Sequence, residues 1–262
     1  MGNQNSLEEK VKSSMVQLHK MGFQLKQNES TISELKNYNP KKGQGTAVRD
    51  AILFGFTKIL NAMIILKNCE QLDQYKFVHI VLTDGEDNSS STSISNLSSI
   101  LNKVKDICRT LIIGIDMKKE QLPYISKECE YYDVRSSEIE SLFHRISVSL
   151  GLKVTTAVGA IVQNDVGVIA VSQKKELSLN LRRCKYMIML TIDGSPSMND
   201  GEGWWLWKTT RWSLARKAVK NLMKSLEDED RICASIFDQN FRNITETGSL
   251  KLQFEKLFFK KL

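Results

Sequence analysis

The sequence predicts an α/β fold with a mostly parallel sheet, and three observations carry that expectation. Apolar runs of strand length recur at 77–83, 110–115 and 186–192. Stretches with apolar residues at helical spacing alternate with them. Finally, 38 residues separate Thr46 from Asp84, room for one helix, one loop and one strand, the layout that parallel strands require.

The chain has 262 residues, 41% of them hydrophobic and 26% charged, enough for a substantial core. The net charge of +7 is spread along the sequence, with a short basic block only at the C-terminus. This pattern predicts solubility and no nucleic-acid binding. Three histidines, none spaced with a cysteine or another histidine, offer no zinc set. The five cysteines (Cys69, Cys108, Cys129, Cys184, Cys233) form no C-x-x-C pair, which predicts free thiols in a reducing, cytoplasmic compartment. No apolar run has the length of a membrane span. Met1-Gly2-Asn3-Gln4-Asn5-Ser6 fits the N-myristoylation pattern, and acylation at Gly2 would add weak peripheral membrane association.

Taken in order, an N-terminal extension (1–26) reads as a helix with Val11, Met15, Leu18 and Phe23 near one face. A short helix through Leu35 and a loop at 37–43 follow. Gly43 and Gly45 then free the backbone, and Thr46 opens a long helix whose apolar side is Val48, Ile52, Ile59, Met63 and Leu66. Thr46 reads as an N-cap, a position that also leaves its hydroxyl at the loop rim. The strand at 77–83 contains His79, read as a packed core histidine, and ends in Asp84-Gly85-Glu86-Asp87. Those carboxylates also suit a turn before a helix N-terminus. A Ser/Thr-rich loop, a helix at 96–106, the strand at 110–115, a short edge strand at 131–134 and a helix from Ser137 complete this part. Ser137 and Glu140 have capping-box spacing.

Residues 151–185 are richer in β-formers and predict an inserted β-hairpin linker. The strand at 186–192 leads into Asp193-Gly194-Ser195-Pro196-Ser197. A carboxylate followed by hydroxyls at +2 and +4, on a loop at the carboxyl end of a strand, suits a hard divalent cation. Trp204, Trp205 and Trp207 beside glycines either anchor a partner or pack on the helix at 208–226. Residues 227–230 read as a solvated acidic turn, 231–238 as a strand, and 250–262 as a basic amphipathic helix.

Asp193-x-Ser195-x-Ser197 resembles the metal-ion-dependent adhesion site of von Willebrand factor type A domains. Gly45-Thr46 with Asp50-Ala51 resembles that family's threonine loop, and Thr83-Asp84-Gly85-Glu86-Asp87 its Thr-Asp-Gly motif. The resemblance covers roughly 27–150 and 186–250. It implies a doubly wound, mostly parallel sheet. It also implies a site of Asp193, Ser195, Ser197, Thr46 and Asp84 holding Mg2+, or Mn2+ or Ca2+ in its place. The motif order is reversed, because Thr46 and Asp84 precede Asp193. Residues 27–150 therefore resemble the C-terminal half of one such domain and 186–262 the N-terminal half of another.

Each half carries the strands the other lacks, and a lone central strand would expose both edges. A permuted domain closed within one chain is therefore expected, with a domain-swapped dimer as the intermolecular version. The function so implied is a metal-ion-dependent protein-binding module whose partner offers a Glu or Asp carboxylate, with no catalysis. The alternatives are a non-binding fragment of a tandem protein and a Mg-dependent phosphotransferase. With Asp193 as nucleophile, the second would resemble the haloacid-dehalogenase-like enzymes, which need an aspartate at +2, where Ser195 stands.

Overall fold

The structure, a computed structural model, describes residues 9, 13, 45–122, 128–150, 184–202, 209–239, 241–243 and 249–250. Apart from Glu9 and Ser13, the N-terminal extension with Gly2 lies outside the described residues, as do the short helix through Leu35, the loop at 37–43, the hairpin at 151–185 up to residue 183, the tryptophan loop at 203–208 and the C-terminal segment beyond Leu250.

One sheet organises the chain. Its parallel strands are β1 (Tyr75–Thr83), β2 (Cys108–Ile115), β3 (Glu130–Val134), β4 (Lys185–Asp193) and β7 (Arg231–Phe237). Gly201–Glu202 (β5) and Thr209–Thr210 (β6) pair separately as a short antiparallel ladder. Two short strands, β8 (Phe241–Asn243) and β9 (Ser249–Leu250), pair antiparallel with β7. The spatial order is β3-β2-β1-β4-β7-β8. Counted from the strand that ends in Asp193, it becomes 3-2-1-4-5-6, a doubly wound order whose switch point lies between β4 and β1. The two halves of the chain thus meet at the centre of one sheet, with Tyr75 beside Lys185 and Leu82 beside Ile192.

Among the described residues the principal helices are α1 (Val48–Asn68), α2 (Ile94–Val104), α3 (Ile139–Ser149) and α4 (Arg211–Ser225). Both faces of the central strands are buried, so their sequences run apolar without a polar alternation. On one face Ile80, Leu82, Ile113, Ile188 and Leu190 pack against Ile139, Leu142 and Phe143 of α3 and Ala215, Val219 and Leu222 of α4. On the other, Val81, Ile112, Met187 and Met189 pack against Val48, Ile52, Phe56, Ile59 and Met63 of α1 and Leu97 and Leu101 of α2. Helix α1 is buried around most of its circumference: Leu53, Phe54 and Leu60 are covered as well as the apolar side read from its spacing.

His79 is a core histidine. It is fully buried, shares a hydrogen bond with Thr191 Oγ1 at 2.9 Å, and meets the Phe56 ring edge-on. Burial alone pulls its pKa from 6.5 down to about 3, so it stays neutral. None of the five cysteines is in a disulfide. No helix among the described residues is long and apolar enough to cross a membrane.

Several local expectations are corrected. Thr46 does not cap α1: the cap position is Ala47, and no side chain of the helix's own start closes it. The caps come from the loop after β1 instead. The Asp87 carboxylate accepts from the Arg49 amide at 2.8 Å, and Ser90 Oγ accepts from the Asp50 amide at 3.2 Å. Asp50 in turn accepts from the Ser91 and Thr92 amides. Nor do Ser137 and Glu140 form a capping box. A 3-10 turn (Ser136–Glu138) opens that region, and Glu140 reaches across to Lys217 and Asn221 of α4.

The acidic turn is not wholly solvated either. Asp230 is fully buried, accepting from the Tyr186 and Glu227 amides at 2.8 Å each. Helices read at 96–106 and 208–226 run Ile94–Val104 and Arg211–Ser225, the latter capped by Thr210 accepting from the Ser213 amide.

Candidate functional site

At the carboxyl ends of β4 and β1 the chain leaves the sheet on both sides of the switch point. Asp193 is the last residue of β4, and Asp84 directly follows β1. Parallel pairing in register brings these ends level, since Leu82 pairs with Ile192. The next residues, Thr83 and Asp193, touch: Thr83 Oγ1 donates to Asp193 Oδ2 at 2.7 Å. The other carboxylate oxygen, Oδ1, accepts from the Ser195 amide at 2.8 Å. The Gly194 amide is tied to the Phe237 carbonyl of β7 at 2.7 Å, which holds the loop over the strand ends.

The hydroxyls form a relay. Ser195 Oγ lies 2.9 Å from Ser197 Oγ, and Ser197 Oγ lies 2.8 Å from Asp84 Oδ1. Each hydroxyl has one proton to give. Ser197 gives its proton to Asp84, so Ser195 donates to Ser197. Asp193, Ser195, Ser197 and Asp84 therefore form one connected cluster within a single chain, and a swapped dimer is not needed to assemble it.

Thr46 reaches the same rim by another route. Its amide donates to Asn88 Oδ1 at 2.8 Å, and its carbonyl accepts from the Asn88 and Ser89 amides. Gly45 precedes it with φ +115°, and a Cβ there would fall 2.3 Å from Ser89 Oγ, so the turn needs glycine. The Thr46 hydroxyl faces Gly85, next to Asp84: it would stand 3.1 Å from a Cβ at Gly85. All five residues singled out from the sequence thus lie at this rim, four in one hydrogen-bonded cluster and Thr46 against the loop that carries Asp84.

The cluster is buried and acidic. Asp193 is fully enclosed, and burial, with the nearby Asp84 charge second, raises its pKa from 3.8 to about 7. Its hydrogen-bond donors, Thr83 and Ser195, are neutral. Asp84 is also raised by burial, against the opposing pull of Ser197 and Arg211. Arg211, at the start of α4, is the residue that the sequence reading missed. Its Nη1 meets Asp84 Oδ2 at 3.1 Å and the Ser197 carbonyl at 3.3 Å, and its Nε meets Asp116 Oδ2 at 2.9 Å. A cation in the first turn of a helix opposes the macrodipole, and that oddity was the available signal.

In donor chemistry the cluster fits a hard divalent cation: carboxylate and hydroxyl oxygens, no sulfur, no imidazole. Among the described residues no three His, Cys, Asp or Glu side chains gather as a metal set. A cation here would rest on two carboxylates plus hydroxyls and water. A cavity of about 760 Å3 lies at the opposite, amino end of the strands, lined by Phe77, Arg109, Glu130 and Tyr186 among others. It shares no residue with the acidic cluster.

No family model matches the chain, and no curated protein matches it. Among solved structures, the chain is similar to an uncharacterized protein from Alicyclobacillus acidocaldarius, at 12% identity and a TM-score of 0.37, over 70% of this chain and 85% of that one.

Proposed function

We propose that the chain is a metal-ion-dependent protein-binding module of the von Willebrand factor type A kind. In this reading Asp193, Ser195, Ser197, Thr46 and Asp84 hold Mg2+, and the cation takes a Glu or Asp carboxylate from a partner protein. One observation carries the reading: two acidic side chains and two hydroxyls from distant parts of the chain converge at the sheet's switch point. Asp193 stays charged near neutral pH only at a cost, because its surroundings supply neutral donors and a second carboxylate. A divalent cation removes that cost by adding positive charge beyond the one guanidinium that Arg211 gives to Asp84. When bound, the metal provides a strong local positive charge with replaceable ligands. The protein contributes the placement of its oxygens, and no covalent step is involved.

Thermal unfolding with increasing Mg2+ tests this. A ligand that binds only the folded chain stabilises it by about 2.7 kcal/mol at a hundred times its Kd. The wild-type melting temperature should rise with Mg2+, and Asp193→Ala should abolish the rise. No rise in the wild type would sink the reading.

A further inference from the structure

Arg211 sits where a divalent cation would exert its pull. Its guanidinium spans two acidic groups that belong to different loops: Asp84 at the end of β1 and Asp116 just after β2. Asp84's side chain is fully covered, while Arg211 and Asp116 keep about a quarter of theirs exposed (24% and 26%). Asp116 is itself fixed. Its amide donates to the Val134 carbonyl at 2.8 Å, its Oδ1 accepts from the Ser136 amide at 3.0 Å, and its backbone has φ +55°. The second anchor is thus rigid and on the solvent side, and the first is inside the cluster. The position also runs against helix electrostatics, since Arg211 is the first residue of α4 and its charge faces the positive end of that helix. Pairing with the acidic groups is what offsets this.

We infer that Arg211 is the resident counter-ion of the acidic cluster: it competes with a divalent cation for Asp84, and Asp116 is the anchor that draws its charge away when the cation binds. The inference rests on the metal-binding reading above and adds its regulation. Two positive charges cannot both neutralise the one Asp84 carboxylate at full strength. Metal occupancy therefore weakens the Arg211–Asp84 pair, and that pair weakens metal occupancy by the same factor. Asp116 sets the balance, because a guanidinium held there is still satisfied after Asp84 lets go.

The test is direct binding of Mn2+ to the whole, metal-free chain by isothermal titration, with the melting temperature of the metal-free protein measured beside it. Arg211→Gln should bind Mn2+ more tightly than wild type, by roughly tenfold, and should melt lower without metal. Asp116→Asn should do the reverse to affinity, binding Mn2+ more weakly, because the guanidinium then rests on Asp84 alone. Loss of a carboxylate near a cation weakens binding by itself, so the double variant is the decisive comparison: Asp116→Asn should cost more affinity in wild type than in Arg211→Gln, and an equal cost in both would overturn the part given to Asp116. If wild type binds and Arg211→Gln binds no tighter, the counter-ion role is overturned and the metal-binding reading stands. If only Arg211→Gln binds, the counter-ion role stands and the unaltered chain is not a metal-dependent module. Binding by neither overturns both. Should Arg211→Gln fail to fold, Arg211→Met takes its place in both comparisons, and the same outcomes uphold or overturn the role.

Discussion

The Ser197 hydroxyl donates to the Asp84 carboxylate at 2.8 Å across a sequence separation of 113 residues. That single bond joins the loop after β4 to the end of β1. It closes the rim only because the two central strands run parallel and level. A slip of one residue between them would move every side chain of β4 to the other face of the sheet.

The acidic pair should give the metal-free protein a distinctive pH profile. Asp193 has a folded pKa of about 7, raised by burial and then by Asp84, above the 3.8 of the free side chain. A carboxyl raised in this way holds its proton more tightly in the folded chain. Its contribution is full below about pH 4 and is lost as the pH climbs to about 7, each tenfold difference in proton affinity being worth about 1.4 kcal/mol. His79 acts with the opposite sign, since its pKa is lowered from 6.5 to about 3: its contribution is present above pH 6.5 and is lost as the pH falls toward 3. Asp193→Asn isolates the first effect. In urea unfolding without metal, the variant should gain on wild type by a few kcal/mol between about pH 4.5 and about pH 7.5. A difference that stays constant with pH would contradict the assignment.

Gly85 separates the Thr46 hydroxyl from the Asp84 loop. A methyl group there would stand 3.1 Å from Thr46 Oγ1, tighter than ordinary contact, so one of the two loops must give by a few tenths of an ångström. Gly85→Ala should leave the melting temperature of the metal-free protein within about 4 °C of wild type, the size of a change near 1 kcal/mol in a domain of this size. Its Mg2+ affinity should fall several-fold, because both loops carry oxygens of the proposed cation site. Equal Mg2+ affinity in the two proteins would remove Thr46 from that site.

Asp230 holds the entrance to β4. Both of its carboxylate oxygens accept backbone amides, from Tyr186 and from Glu227, in a fully buried position. Asp230→Ala leaves the buried Tyr186 amide without an acceptor, at about 1–3 kcal/mol, and the half-buried Glu227 amide at less. Asp230→Asn keeps one acceptor oxygen and should lose less. Chemical denaturation of both variants checks the order, and an Ala variant as stable as the Asn variant would refute it.

The fold class was legible because strands covered on both faces write themselves as unbroken apolar runs. The runs around Ile80, Ile112 and Ile188 are all of this kind. The Asp193 and Asp84 loops were legible as turns, because polar residues and a glycine follow each run at once. What failed has a common cause. Thr46 was read as a possible cap, Glu140 as part of a capping box, and Asp230 as solvated, each from its neighbours in sequence. The structure gives each position a partner that sequence neighbours do not reveal: Asp87 and Ser90 cap α1 in place of Thr46, Lys217 takes Glu140, and the Tyr186 amide takes Asp230. Arg211 was passed over for the same reason, since Asp84 lies 127 residues away from it.

The junction between the two central strands has a practical consequence. Residues 45–150 contribute Thr46 and Asp84, and residues 184–250 contribute Asp193, Ser195 and Ser197, so neither piece alone owns a complete rim. Tyr186, near the start of the second piece, hydrogen-bonds the carbonyl of Leu150 at the end of the first, at the far end of the sheet from the acidic groups. Severing the polypeptide between those two points would leave all five oxygen-bearing side chains of the rim on one piece or the other, and would make the proposed site a two-fragment reporter, silent until its complementary pieces find each other.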